Sequence, residues 1–246
     1  AMPGNREAYE QAMNAGHNAA WDKEWSLAIA AYGQAVKEFP DDVEAHIHLG
    51  LALLEVGRLE DALKVYTRAH QLSPDDPISL EKSADILERV GRMKEASQQY
   101  VNVAEVYLGQ RDLDKAIENW DRATRLTPGL VAIHGKLAQA YERQGNKPRA
   151  LRQYLLLGQA FQRMGDSDKA IKAVQRALKF DSRNVSALNA LQAIQGGAEV
   201  NVPAATGELV PRTAAATATK TPRVTPALAE ADPMGPMGEA MTDALG

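Results

Sequence analysis

The first side chains to consider for chemistry in this 246-residue chain are its five histidines. They are His17, His46, His48, His70 and His134. No two of them are four residues apart, the spacing that places two imidazoles on one face of a helix as ligands for a metal ion. The sequence also has no HExxH motif, no Walker loop and no nucleophile grouped with a base and an orienting third residue. We therefore expect no catalytic residue, no metal site and no cofactor.

Composition narrows the classes of partner. The formal net charge is −4, which argues against nucleic acid or an anionic membrane surface as the main partner. There is no cysteine, so disulfides and thiolate zinc sites are excluded. No run of about 18 or more apolar residues occurs, so we expect no insertion into a membrane. Met2 is a plausible natural start with no apolar signal segment after it, and we expect a cytoplasmic protein.

The elements that would position these side chains follow a 34-residue pattern, which is most complete from Val43 to Asp76. Small residues recur where two helices must approach closely, large residues fill the space between them, and a proline ends the second helix. The residues that carry this pattern are Leu49, Gly50, Leu53, Ala62, Tyr66, Ala69 and Pro74. Residues 9–42 repeat it with Gly16, Ala28, Tyr32, Ala35 and Pro40. Both stretches are therefore predicted to form helical hairpins.

The next two stretches are copies of each other. Residues 77–130 align with residues 131–184 over 54 residues without a gap. The shared residues include Glu88 and Arg89 with Glu142 and Arg143, Tyr100 with Tyr154, and Arg122 with Arg176. Each block is predicted to hold three helices. The middle helix, near 93–109 and again near 148–164, fits both halves of the repeat pattern, so we expect it to be longer than its neighbours and to pack on both sides.

The end of the chain divides into a last helix and a tail. Residues 185–195 are predicted to form a single capping helix, which Gly196 and Gly197 end. From residue 198 to 246 the sequence is rich in proline, alanine and threonine and has few large apolar residues, so we expect a disordered tail or linker. Near its end, Met234, Met237, Met241 and Leu245 would form one apolar stripe if that segment were helical. The stripe could mediate self-association or dock in a groove; the alternative is a solvated tail.

The repeat length, the positions of the small and large residues and the terminal proline resemble the tetratricopeptide repeat. A unit of this kind cannot bury its apolar face alone, so it stacks on its neighbours. The resemblance implies an all-α, right-handed superhelical solenoid of about eleven helices over residues 5–196. It also implies a non-catalytic scaffold that binds a peptide or protein partner in the concave groove of the array.

In proteins that the repeat resembles, the first helix of each unit lines that groove. Carried over to this sequence, the implied partner-binding residues are Met13, His17, Trp21, Ile47, His48, Leu51, Lys82, Asp85, Arg89, Lys136, Gln139 and Arg143. The first half of this set is mostly apolar or aromatic and suits anchoring side chains, and the second half is mostly charged and suits carboxylates or carbonyls. Two alternatives stay open: Trp21 could be a core residue, and the charged residues could be a solvated face.

The positions of residues within the repeat predict which histidines are buried and also bear on one class of partner. His46 and His134 fall where a large packing residue is usual, so we expect both in the core. Co-chaperones of this family that grip the acidic C-terminus of heat-shock proteins use a lysine and two asparagines where this sequence has Met13, His17 and His48. That partner class therefore loses its main support. Two further hypotheses are a regulatory or targeting domain of a larger enzyme or signalling protein, and a self-assembling scaffold.

Overall fold

The computed structural model describes residues 4–202, and these form eleven α-helices with no β-strand among them. The helices are α1 (Arg6–Trp21), α2 (Trp25–Glu38), α3 (Val43–Glu55), α4 (Leu59–Leu72), α5 (Pro77–Arg89), α6 (Met93–Gly109), α7 (Leu113–Leu126), α8 (Val131–Arg143), α9 (Lys147–Arg163), α10 (Ser167–Phe180) and α11 (Val185–Gln195). Each helix packs against the next one along the chain. The predicted all-α solenoid is confirmed.

The lengths of the connections follow the repeat pattern. Three residues link the two helices of a hairpin, as between α1 and α2, and four residues link one hairpin to the next, as between α2 and α3. Two consecutive three-residue connections join α5, α6 and α7, and the same is true of α8, α9 and α10. We propose that these two groups of helices are the copies of one three-helix unit that the duplicated sequence predicts, and that α11 caps the array.

The middle helices of the two groups are the longest of the eleven. Helices α6 and α9 have 17 residues each, whereas their neighbours have 13 or 14. On one side of α6, Tyr100 packs in a cluster with Leu87 of α5, and on the other side Tyr107 packs in a cluster with Trp120 of α7. Helix α9 packs in the same way between α8 and α10. The prediction of longer helices that pack on both sides is therefore confirmed.

Close packing within the hairpins depends on a glycine facing a tyrosine. A Cβ atom added to Gly16 would lie 2.5 Å from Cε1 of Tyr32, and one added to Gly50 would lie 2.7 Å from Cζ of Tyr66. Both tyrosines are buried. The small residue at this repeat position therefore makes room for the aromatic ring of the second helix, as the sequence pattern predicts.

Acidic and amide side chains fix where most of the helices begin. In seven of the eleven helices an Asn or Asp at the N-cap accepts a hydrogen bond from a backbone N–H of the first turn. These N-caps are Asn5, Asp42, Asp76, Asp112, Asn146, Asp166 and Asn184. These caps therefore fix where seven of the eleven helices start.

The described residues that follow α11 pack against the end of the array. Val200 is 1% exposed and packs in the last core cluster. Its N–H donates to Gln162 Oε1 at 2.8 Å, and its carbonyl accepts from Gln159 Nε2 at 2.6 Å. The first five residues of the predicted tail are therefore packed against α9. The remainder of the predicted tail, with its methionine stripe, lies outside the described residues.

Candidate binding surface

Two histidines bring the first helices of the first two repeats together. His17 lies on α1 and His48 on α3, and their ring centroids are 4.8 Å apart in an edge-to-face arrangement. Both belong to the predicted groove residues, so the structure places these two members of the set side by side. Helices α1 and α3 therefore share one surface, with α2 and α4 packed behind them.

An aromatic ring of the core supports both imidazoles. Tyr32 of α2 stacks on His48 with ring centroids 5.3 Å apart and an interplanar angle of 18°. The same tyrosine meets His17 at 5.6 Å, edge to face. Tyr32 is buried and packs tightly against Gly16, so the ring that contacts the two imidazoles is held in place.

A carboxylate completes this group. Glu44 lies in the first turn of α3, one turn before His48, and its Oε1 lies 3.7 Å from His48 Nε2. His17, Glu44 and His48 each offer one ligand atom, and these atoms all lie within 4.8 Å of one another. We call these three residues the His–Glu–His cluster. Burial, with a smaller effect of the neighbouring His17, lowers the pKa of His48 below its usual value, although Glu44 opposes the shift.

This cluster was not predicted from the sequence, where we expected no metal site. No two histidines have metal-binding spacing on one helix, and the two imidazoles here come from helices in successive repeats. One local signal was available, because Glu44 and His48 are four residues apart and so lie on one face of a helix. The contribution of His17 follows only from the stacking of α1 beside α3.

The apolar half of the predicted surface is partly exposed. Trp21 is 86% exposed at the end of α1, so it is not a core residue, and Leu51 of α3 is 39% exposed. Each lies about one turn beyond the histidine of its own helix. Ile47 is half-buried and packs in the cluster that α3 shares with α4. Met13 is only 6% exposed and packs in the core of the first repeats, which leaves little of it for a partner.

The charged half of the predicted surface divides into paired and exposed residues. Asp85 accepts a hydrogen bond from the Tyr100 hydroxyl at 2.7 Å. Lys136 forms an ion pair with Glu105. The remaining members range from partly exposed to exposed; they are Lys82, Arg89, Gln139 and Arg143. The ladder of cations is therefore not uniformly available to a partner.

A network behind the charged half joins three helices. Arg122 of α7 bonds Asp85 and Glu88 of α5 at 2.9 Å each, and its guanidinium lies over the ring of Tyr100. Burial, reinforced by Asp85, raises the pKa of the Tyr100 hydroxyl. Arg122 was noticed in the sequence only as a residue shared with Arg176 of the second block.

The two histidines expected in the core are there. His46 and His134 are both buried. His46 Nδ1 lies 2.7 Å from the carbonyl oxygen of Asp42, and His134 Nδ1 lies 2.8 Å from Gln153 Oε1. Their imidazoles satisfy internal hydrogen bonds, which confirms the sequence prediction.

Comparison with family models shows what kind of repeat this is. A tetratricopeptide repeat model matches residues 22–77 and 101–157, and a second one matches residues 151–184. Together they cover more than half of the chain. The chain belongs to the tetratricopeptide repeat family. As a tetratricopeptide repeat protein it has the fold of a protein-interaction scaffold, and none of α1 to α11 is long and apolar enough to cross a membrane.

Solved structures of similar fold are distant in sequence. The complex described as TPR2B-domain:pHsp70 of yeast Sti1 is 16% identical, and the match covers 48% of this chain and 98% of that one with a TM-score of 0.44. The Arabidopsis OM64 TPR domain is 21% identical over 50% of this chain and 98% of that one, with a TM-score of 0.43. A tetratricopeptide repeat protein from Parabacteroides merdae is 14% identical over 77% and 99%, with a TM-score of 0.39. No curated protein sequence matches the chain.

Proposed function

We propose that the surface formed by α1 and α3, continued by the first helices of the later units, binds a peptide or protein partner. The observation that carries this proposal is the exposure of Trp21. Tryptophan is highly buried on average, and it is enriched among the residues that contribute most to binding at protein interfaces. Trp21 and Leu51 each lie about one turn beyond His17 and His48 on their own helices, and the two imidazoles touch, so an apolar partner side chain would find several contacts there.

The contrast between the halves of the surface supports an anchor at the N-terminal end. Trp21 and Leu51 offer apolar area that is not already used inside the fold. In the charged half, Asp85 and Lys136 are already engaged in internal hydrogen bonds or ion pairs. A partner that bound them would first have to break those contacts, so the first two repeats are the better anchor.

The experiment is a comparison of two double variants in the full chain. Partners are recovered from extract of the native cell with the wild-type chain, and the affinity of each purified partner is then measured for every variant. Trp21→Ala/Leu51→Ala should weaken binding about tenfold or more, since each truncated anchor removes roughly 1 kcal/mol or more. Circular dichroism checks that the helices remain.

The matched control removes the same kind of surface elsewhere. Met164 and Val185 are exposed apolar residues at the other end of the array. Met164→Ala/Val185→Ala should leave the affinity unchanged. The proposal is wrong if the two double variants bind a recovered partner equally well, or if the wild-type chain retains no partner.

A further inference from the structure

We propose that the His–Glu–His cluster binds one divalent transition-metal ion, with Zn²⁺ the best fit. His17 supplies a ligand from α1, and Glu44 and His48 supply two from α3. The site would therefore join the first repeat to the second. The proposal stands apart from partner binding, because the ion is held by this chain alone.

The distances between the ligand atoms are close to those of a bound ion. In a tetrahedral zinc site with bonds of about 2.0–2.2 Å, two ligand atoms lie roughly 3.3–3.6 Å apart. Glu44 Oε1 and His48 Nε2 are already 3.7 Å apart. The widest separation in the cluster is within 4.8 Å, so one side chain must move by about 1 Å. Glu44 is exposed, and its flexible side chain can rotate towards the ion without disturbing the core.

The donor set selects the class of ion. Two imidazole nitrogens and one carboxylate oxygen suit Zn²⁺, Ni²⁺ and Cu²⁺, whereas Mg²⁺ and Ca²⁺ prefer shells made of oxygen alone. Three protein ligands leave a fourth position of a tetrahedral zinc ion open. Because His17 and Glu44 are exposed, that position would face the binding surface and could take water or a donor group from outside the chain.

The surroundings of the cluster favour a cation. The Tyr32 ring packs against both imidazoles and so restricts the directions in which they can point, as outer-shell groups do in metal sites. Asp42, the N-cap of α3, adds a second negative charge near His48. A positive ion would therefore enter a site with acidic groups on one side and a fixed aromatic floor on the other.

The test is a calorimetric titration with Zn²⁺. The full chain is purified without a histidine tag and is freed of metal with a chelator before the titration. We expect one site per chain. Loss of an outer-shell group in a metal site weakens binding about 10- to 100-fold, so loss of a ligand in His17→Gln, Glu44→Gln or His48→Gln should weaken it about tenfold or more. Ca²⁺ and Mg²⁺ should give no heat of binding.

Two matched control variants and one spectroscopic measurement distinguish binding at the His–Glu–His cluster from binding elsewhere on the chain. His70→Gln removes a histidine outside the cluster, and Glu55→Gln removes an exposed carboxylate from the same helix as Glu44; both should bind like the wild type. X-ray absorption of the wild-type zinc complex should show nitrogen and oxygen ligands with two imidazoles, which needs no variant to fold. The proposal is overturned if no site titrates, if the ligand variants bind like the controls, or if the spectrum lacks imidazole.

Discussion

The guanidinium carbon of Arg122 lies 4.1 Å from the centroid of the Tyr100 ring. The same guanidinium bonds two carboxylates of α5, so one side chain of α7 ties α5, α6 and α7 together. In the second copy of the block Arg176 pairs with Glu142, and Gln139 stands where the first copy has its second carboxylate. The duplication thus supplies two versions of one network, with two acids in the first and one in the second.

The two versions should differ in their effect on stability. Arg122→Met removes partly buried charge-assisted hydrogen bonds and should lower the free energy of unfolding by about 1–2 kcal/mol. Arg176→Met removes a more exposed pair and should lower it by about 0.5 kcal/mol. Urea denaturation of both full-length variants measures the difference. Equal losses would show that the second carboxylate adds nothing.

Left-handed backbone at two turns offers a stabilising change. The middle residue of each three-residue connection has positive φ; it is glycine in four of the turns, including Gly57, but Lys23 with φ 61° and Arg111 with φ 63° in the others. A residue with a side chain pays roughly 1–2 kcal/mol to adopt this conformation. Glycine avoids that cost but loses more conformational entropy on folding, so the net gain from a change to glycine is smaller. Arg111→Gly should therefore raise the free energy of unfolding by about 0.5 kcal/mol. Gly57→Ala, the reverse change, should lower it in the same denaturation assay.

Two helical glycines should respond to alanine in opposite directions. Gly50→Ala places a Cβ atom 2.7 Å from the Tyr66 ring, and overpacking of this kind costs about 1–3 kcal/mol. Gly135 lies inside α8, and apart from the backbone of its own helix and the two adjacent residues no atom lies within 4 Å of an added Cβ. Gly135→Ala should stabilise the protein by about 0.5–1 kcal/mol. A melting temperature that falls for Gly135→Ala or rises for Gly50→Ala contradicts the packing described.

Buried His134 should make the fold weaker in acid. Burial lowers its pKa, as does Arg152, while the hydrogen bond to Gln153 and the charge of Asp121 act in the opposite direction. Between pH 7 and pH 5 the imidazole of His134 takes up a proton in the unfolded chain, where its pKa is about 6.5, more readily than in the folded protein. The free energy of unfolding therefore decreases as the pH is lowered. His134→Gln should flatten this dependence when stability is measured at pH 7, 6 and 5. An unchanged slope would exclude a contribution from His134.

The docking of the segment after α11 can be tested at one side chain. Val200→Ala should lower the free energy of unfolding by about 1–2 kcal/mol, because it leaves a cavity in the last core cluster. Glu199 is its exposed neighbour, so Glu199→Ala should have a much smaller effect. A loss of less than about 0.5 kcal/mol for Val200→Ala would mean that this contact adds little to stability.

The sequence was sufficient to predict the helices and the packing at fixed repeat positions, but it did not predict the polar contacts between residues far apart in the chain. Helix starts and ends could be predicted because caps, glycines and prolines act within a few residues, and the Gly50–Tyr66 packing follows from a fixed repeat position. The fate of Asp85 could not be predicted, because its partner Arg122 comes from a helix two places further along the chain. The prediction of a disordered tail was wrong for Val200, because it relied on composition. Composition gives no information on the hydrogen bonds that two glutamines of α9 form with the Val200 backbone.

Tyr32 has two roles, one in the packing of the first hairpin and one in the support of the His–Glu–His cluster. Its ring packs against Gly16 inside the first hairpin, and the same ring stacks on His48 and meets His17 edge to face at the surface. A change there would alter folding and surface recognition together. A deep mutational scan selected for ligand affinity would therefore return Tyr32 as intolerant even if the ligand never touches it, and comparison with a scan selected for abundance alone would reveal the overlap.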